Sequence, residues 1–580
     1  MSTTISEVAG SDPDRLVAAA GQLHGSITRL QALISAQQRA LTQLAGGWQG
    51  AGASAALERA AADLTRQVEM MARLQRTQAA LSTGGSQLSA LRTHILSLAA
   101  QAVSLGGLVG DDGTVLPTGF GQLMTPAVAA AYTAILQALL RTFDDVDHAT
   151  AGTLEGAGAT SGSSSHSPAQ IPPDGTNAEE VNRWWDSLSK EQRDRLIAEQ
   201  PERVGNLNGV PVEARDAANQ AVMQRDLDRV QQAAKEAGVA PEAVVADPAA
   251  YGLTQTDITR YTNARKVKGG LDYNAEYDGN AKPRNKVFVH AYQPEAFGGQ
   301  GRAAIAIGNP DDADNTTLIV PGTGNSVRDG YFTRPDGLDV YKETQKADRA
   351  KSNAVVMWMG YDAPDSPIDP RIAQTDLARQ GGTLLAADVN AFEVTGDRDS
   401  HVTVIGHSYG STTVADGAVY GMRADDVVLV GSPGTDLAKS AADFNLPEGG
   451  HVYVGSASTD PVTHLGGMQV PLNPLPTGPF DSPIANAGIP VGLGADPAVD
   501  GFGSTRFKAE VPGFNVNPFH DHSQYFMPGG ESLYAITDIA SGNGALLEQH
   551  GMTARHRGEF IFSDSVDPEL FRTPTTGHYH

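Results

Sequence analysis

Apolar residues recur every three or four positions, or at sums of those spacings, along the first stretch of the chain: Leu16, Ala20, Leu23, Ile27, Leu30, Ile34, Leu41 and Leu44. That spacing predicts an amphipathic helix, with Asp12 as N-cap and Pro13 at the first helical position. Gly46-Gly47-Trp48-Gln49-Gly50 breaks the pattern, and a second run resumes with Leu57, Ala61, Leu64, Val68, Met71 and Leu74, continuing through Leu91, Ile95 and Leu98. The prediction is an antiparallel helical hairpin about a Gly-rich turn, with an apolar seam that needs a partner. A shorter helix over 126–147 is placed to supply part of that cover. Together these make a helical domain over 1–147.

Residues 148–176 are rich in Gly, Ser, Thr and Pro and lack any period, the composition of a flexible linker. A helical stretch follows from 177 to about 264. It carries Trp184-Trp185, which are expected to anchor these helices on the next domain. From 284 the period changes. Strands are predicted at 286–292 and 302–307, and short apolar runs follow at 316–320, 354–358, 401–405, 426–430 and 451–454, separated by helix-length segments. Residues 504–511 read as one more edge strand. Apolar runs alternating with helices indicate parallel strands buried on both faces, hence a doubly wound α/β domain.

Bulk properties narrow the picture. With 580 residues the chain is long enough for more than one domain. A formal net charge of −25 argues against nucleic acid and anionic membrane surfaces as partners. No apolar run approaches the roughly 20 residues of a membrane span. Met1-Ser-Thr-Thr-Ile-Ser-Glu-Val has neither basic n-region nor apolar h-region, so no Sec signal peptide is expected. Cysteine is absent, which excludes disulfides, a thiol nucleophile and thiolate metal sites and leaves the compartment open between cytosol and export.

The chemistry concentrates at Val402-Thr-Val-Ile-Gly406-His407-Ser408-Tyr409-Gly410. Strand-forming residues run into G-x-S-x-G and then into small helix-starting residues, the pattern of a nucleophile elbow. Ser408 is the candidate nucleophile, and it requires an imidazole base oriented by a carboxylate. In such folds the acid follows a later strand and the base comes last. Asp460, two strands beyond the elbow, is favoured over Asp436; Asp425 and Asp426 begin a strand and point away. His451, His464, His520 and His522 are the candidate bases. His451 starts a strand, whereas His520-Asp521-His522 sits after the last strand, where the base is expected, and either histidine is chemically suitable. The same triplet resembles a metal site but lacks a third clustered ligand; no cofactor or metal is expected. The oxyanion hole is assigned to the amide of Tyr409 and that of Thr323 or Gly324, in the Pro321-Gly-Thr-Gly-Asn325 loop. Trp358 and Tyr361 stand where they can line an acyl pocket or pack the core.

Two resemblances extend this reading. The Trp-x-Gly turn within the first hundred residues resembles the WxG-type substrates of actinobacterial type VII secretion, which dimerise and carry a Y-x-x-x-D/E signal after the second helix. Here the matches to that signal, Tyr361 to Asp365 and Tyr534 to Asp538, lie far downstream. From Trp184-Trp-Asp-Ser-Leu onward the chain resembles an actinobacterial family of α/β-hydrolases. The matching stretches include Gly205-Asn-Leu-Asn-Gly-Val-Pro, Val320-Pro-Gly-Thr-Gly, Gly406-His-Ser-Tyr-Gly, Thr459-Asp-Pro-Val and His522-Ser-Gln-Tyr525. That resemblance implies an α/β-hydrolase fold, Ser408 as nucleophile, Asp460 as acid and His522 as base. It also implies that the 177–283 helices belong to the hydrolase unit, 177–580.

The expected activity is therefore hydrolysis of a carboxylic ester, one class being lipid-derived esters, through an acyl-enzyme; thioesters and amides use the same parts. The alternative expectation is an interaction or toxin protein exported by a type VII-like route. In either case residues 1–105 are expected to bind a helical partner or a second copy.

Overall fold

The computed structural model describes residues 3–21, scattered positions between 23 and 37, and 51–118, 124–158, 171–173, 175–278, 282–396, 400–467, 469–471, 488–490, 492–513, 517, 519–558 and 567–575. The predicted turn with Trp48, and with it Leu41 and Leu44, lies outside these residues. The described chain forms two compact units, one essentially Met1–His166 and the other Ala178–His580 together with Ser167–Pro172.

In the first unit one helix runs over Ala51–Ser104 and another over Pro126–Gly158. They share a core in which Leu88, Ile95 and Ala102 meet Ala129, Leu136, Leu140 and Phe143. The second helix is longer than predicted, so 148–158, expected as linker, is helical. A helix begins at Asp14, one residue later than predicted, and Asp12 Oδ2 accepts from Arg15 Nε at 2.8 Å. A two-stranded hairpin, Gly107–Val109 with Val115–Pro117, was not anticipated, although Asp112-Gly113 is a turn signal.

The second unit is built on an eight-stranded sheet. Its strands are β1 Val287–Gln293, β2 Arg302–Ile307, β3 Asn315–Val320, β4 Asn353–Met359, β5 His401–His407, β6 Asp426–Val430, β7 His451–Gly455 and β8 Thr505–Phe507. They are ordered β1-β2-β4-β3-β5-β6-β7-β8. β1, β2 and β4 pair antiparallel; every pair from β4 through β3 to β8 is parallel. The parallel strands are buried on both faces because alternate side chains enter different cores. Leu318, Val356, Val404 and Leu429 face α1 (Val212–Ala237), α2 (Gln255–Ala275), α4 (Asp376–Thr395) and α5 (Tyr409–Val419). Ile319, Val355, Ile405 and Val428 face α3 (Asp336–Ala347) and α6 (Glu531–Ala540). The result is the α/β-hydrolase fold, with β2 antiparallel to its neighbours and a mostly parallel sheet sandwiched by helices.

Three predicted features differ in extent. α2 continues to Ala275, past the expected end near 264. β8 keeps only three of the eight residues expected over 504–511, because the Lys508 amide turns away to bond Met552 O at 2.8 Å. Trp358 and Tyr361 are core residues: Trp358 Nε1 donates to Asp388 Oδ2 at 2.8 Å, and Tyr361 Oη to Pro321 O at 2.7 Å. Trp185 is buried with Val181, Leu188 and Leu196 against Val210 and Ala218, so it packs within its own helical stretch and not, as expected, on the sheet-bearing part of the chain.

Ile171 packs in that same small cluster. A chain beginning at Ile171 therefore retains every core contact of the second unit. Expressed alone, it should give an α/β circular dichroism spectrum and one cooperative thermal transition.

Candidate active site

β3 and β5 lie side by side in a register that puts Val320 level with Gly406. The Pro321–Asn325 loop and the turn at Ser408 consequently leave the same edge of the sheet together. Ser408 has φ 57° and ψ −130°, a strained conformation for a residue with a side chain, costing on the order of 1–3 kcal/mol. The turn is tight enough that a Cβ on Gly406 would come within 2.5 Å of Ser411 Cα, and one on Gly410 within 2.4 Å of Val320 O. Glycine is required at both places. Ser408 N donates to Val430 O at 2.9 Å, and Ser411 Oγ donates to Ser408 O at 2.6 Å. Backbone bonds on both sides thus hold the turn.

A Cβ placed on Gly322 would lie 2.7 Å from Ser408 Cβ and 2.8 Å from Tyr409 N, so this loop sits directly on the serine. Tyr409 is the first residue of α5, where its N–H has no helical carbonyl to reach. The two loop donors named from sequence are not equivalent. Gly324 N–H donates to Pro364 O at 2.8 Å, which removes it as a donor to substrate and leaves Thr323. The loop is pinned from below by Asn325 Nδ2, which donates to Gly322 O at 2.8 Å, and by Tyr361 Oη on Pro321 O. Tyr361 stacks between Trp358 and Tyr409, with ring centroids 6.0 and 6.5 Å away.

On the other side of the turn, His522 Nδ1 is 2.8 Å from Asp460 Oδ2. Asp460 is fully buried. Its Oδ2 also accepts from Tyr525 Oη at 2.7 Å, and its Oδ1 from Val462 N at 2.9 Å. Burial alone would raise its pKa, but His522, the Tyr525 hydroxyl and the Val462 amide together hold the carboxyl below the usual carboxylate range. The carboxylate can only accept a hydrogen bond, from Nδ1–H, so Nε2 is the nitrogen of His522 left for a reacting group. A Cβ on Gly431 would touch His522 Cε1 and Nδ1 at 3.0 Å, and its neighbour Val430 holds Ser408 N. The His522 imidazole and Ser408 therefore flank the same stretch of β6.

The other sequence candidates have different partners. Asp436 pairs with Arg379 Nε at 2.6 Å. His520 Nδ1 meets Asp521 Oδ1 at 2.8 Å. His464 Nε2 meets Ser458 O at 3.0 Å. His451 lies at the open start of β7 beside Tyr453, on the opposite end of the sheet. No group of side chains suited to hold a metal occurs among the described residues.

Several supporting residues were missed from sequence. Tyr525 was noticed only as part of a matching stretch, yet its place three residues after His522 lets it reach Asp460. Thr459 Oγ1 donates to Asp521 Oδ2, tying the Asp460 loop to the His522 loop. Arg557, far along the chain, joins Asp567 Oδ2 at 2.9 Å and Asp496 Oδ2 at 2.8 Å to Thr463 O at 2.6 Å. Arg506 binds Asp567 Oδ2 at 2.7 Å and Ser456 O at 2.8 Å. The segment 456–463, which carries Asp460, is bracketed by these guanidinium groups. No local signal marks such pairings.

Residues 298–470 match the sequence model of a family described as an alpha/beta hydrolase. An uncharacterized protein of Mycobacterium tuberculosis strain H37Rv is 54% identical over 397 residues, covering 67% of this chain and 59% of that protein. An uncharacterized protein of Mycobacterium bovis is 32% identical over 159 residues, covering 26% of this chain and 58% of that protein. This chain thus spans under two thirds of the length of either relative. Among solved structures, a hyperthermophilic esterase from the archaeon Pyrobaculum calidifontis aligns with 12% identity and a TM-score of 0.27, covering 50% of this chain and 93% of that one.

Arg557 is the test of how the acid loop is held. Replacing it with Met leaves Asp567 and Asp496 without their shared counterion in a buried setting, and should cost about 3–5 kcal/mol. Urea unfolding of the second unit would measure it.

Proposed function

We propose that the chain is a serine hydrolase that cleaves a carboxylic ester through Ser408, His522 and Asp460. The observation that carries this reading is the 2.8 Å contact of His522 Nδ1 with buried Asp460, beside a strained serine at the end of β5. In the reaction His522 Nε2 takes the proton of Ser408 Oγ as that oxygen attacks the ester carbonyl. The carbonyl oxygen becomes an oxyanion, received by the amides of Tyr409 and Thr323. Asp460 stabilises the imidazolium through Nδ1–H without taking the proton. The imidazolium protonates the departing alcohol, and the acyl group remains on Ser408. Water activated by His522 then attacks the acyl-enzyme and releases the acid. An ester, lipid-derived ones included, is the substrate these groups handle with least help, since an alcohol leaves with only the proton that His522 carries.

Ser408→Ala should lose p-nitrophenyl ester hydrolysis by several orders of magnitude and all fluorophosphonate labelling, with its thermal midpoint nearly unchanged. His522→Ala should be about as damaging and Asp460→Asn somewhat less so, while His520→Ala and Asp436→Asn should be mild. Steady-state kinetics on the five variants decide it. Comparable turnover by Ser408→Ala would refute the serine mechanism. Loss of activity in His520→Ala but not His522→Ala would reassign the base.

A second reading concerns the N-terminal unit. Val103, Leu108, Leu116 and Ile135 are exposed there, and Leu108 and Leu116 stand opposite each other across the hairpin. We propose that this unit associates with a helical partner or a second copy. Sedimentation should show self-association of the full chain that is lost in the chain from Ile171 and weakened by Leu108→Glu. Monomeric behaviour of the full chain in the absence of a partner would remove the second copy from this reading.

A further inference from the structure

The side chain of His407, next to Ser408 in the elbow, takes no part in the reaction scheme. It ends β5 on the same face as Ile405, and its ring enters the group of residues that carries the base. The His407 ring centroid lies 4.9 Å from that of His522 at a tilt of 34°, 5.9 Å from Tyr525, and 6.0 Å edge-on to Phe526. Its Nε2 sits 2.7 Å from the main-chain oxygen of His522. A carbonyl can only accept, so Nε2 carries the proton. Burial, with the positive form of His522 alongside, pulls His407 down to about 3. Asp460 and Arg334 are the other charged groups that bear on it. The ring is therefore neutral, and it presents the same single donor to His522 throughout the range in which a histidine base works.

The need for such a donor follows from the local structure. His522 lies in a single 3₁₀ turn, Asp521–Ser523, which no sheet ladder holds. The Asp460 contact fixes Nδ1 but leaves the ring able to swing about that point. A second restraint on the backbone of His522, together with a ring behind its imidazole, leaves one arrangement. That restraint comes from the residue directly preceding Ser408, so base and nucleophile are positioned by consecutive residues of one strand. We propose that His407 is a positioning residue for the base: its Nε2–H holds the His522 carbonyl and its ring backs the His522 imidazole, keeping Nδ1 on Asp460 and Nε2 toward Ser408. This assignment rests on the Ser408–His522–Asp460 reading above.

Three variants of the full chain separate the two contributions: His407→Phe keeps a ring without the donor, His407→Gln keeps a donor without the ring, and His407→Ala keeps neither. Active sites are first counted by fluorophosphonate titration. Per active site, kcat should fall about 10-fold in His407→Phe and about 100-fold in His407→Ala, with KM changed less than about twofold. His407→Gln should fall between Ala and wild type. The acid limb of the kcat/KM profile should move to lower pH in Phe and Ala, because a slackened His522–Asp460 bond stabilises the imidazolium less. A role in packing alone would lower the thermal midpoint and the count of titratable sites, leaving the rate per site and the acid limb unmoved; that result overturns the proposal. So does a His407→Gln variant no faster than His407→Ala. Ester hydrolysis by Ser408→Ala at the wild-type rate would instead show that the triad reading itself has failed.

Discussion

The turn at Ser408 is the constraint on which the rest of the site depends. A residue with a side chain is held at φ 57° because the strand before it and the helix after it leave no alternative. Glycines on both sides sit where a Cβ would strike backbone, and the amide of Ser408 is bound to the neighbouring strand. Strain of this kind persists only where the surroundings over-determine it, and here they consist of the parallel sheet itself. β3 and β6 pair with β5 on either side; one presents the Pro321–Asn325 loop and the other the Gly431 bend that receives His522. The position of Ser408 thus fixes which loops can reach it.

A second constraint is electrostatic. Asp460 is removed from water, which disfavours its charge, and three donors offset that cost: an imidazole, a phenol and an amide. The carboxylate is consequently rigid as well as ionised, since each oxygen is already committed. Rigidity passes to His522 through Nδ1 and arrives a second time through its backbone carbonyl. The Pro321–Asn325 loop is secured differently, by a stack of aromatic rings beneath it. Polar restraint on one flank and packing on the other leave Ser408 between two surfaces that resist displacement.

How much of this could be read from the residues depends on the range of the interaction. The elbow is written in five consecutive residues, because its geometry is local. The strands of the sheet show as apolar runs, because burial on both faces demands them, but the crossover that puts β4 between β2 and β3 has no local signal. The amides of Thr323 and Gly324 are alike in the sequence, since the hydrogen bond to Pro364 that distinguishes them comes from another loop. His520 and His522 were chemically alike until their partners were visible. Trp358 and Tyr361 fitted a pocket or a core equally well by composition, and only their bonds to Asp388 and Pro321 place them in the core. The extra turns of the helix ending at Gly158 and of α2 differ from the prediction, because glycines and polar residues around 148–158 and 264–275 read as linker where the chain stays helical.

The bracket around Asp460 also bears on the order in which the molecule becomes active. Asp567, the counterion shared by Arg506 and Arg557, follows both of them and Ser408 in the chain. A nascent chain made as far as Arg557 has two guanidinium groups close behind the Asp460 segment without that charge. Chains fold from the N-terminus as they are made, so the Ser408 turn can form before the charge that balances the guanidinium groups behind Asp460 has been added.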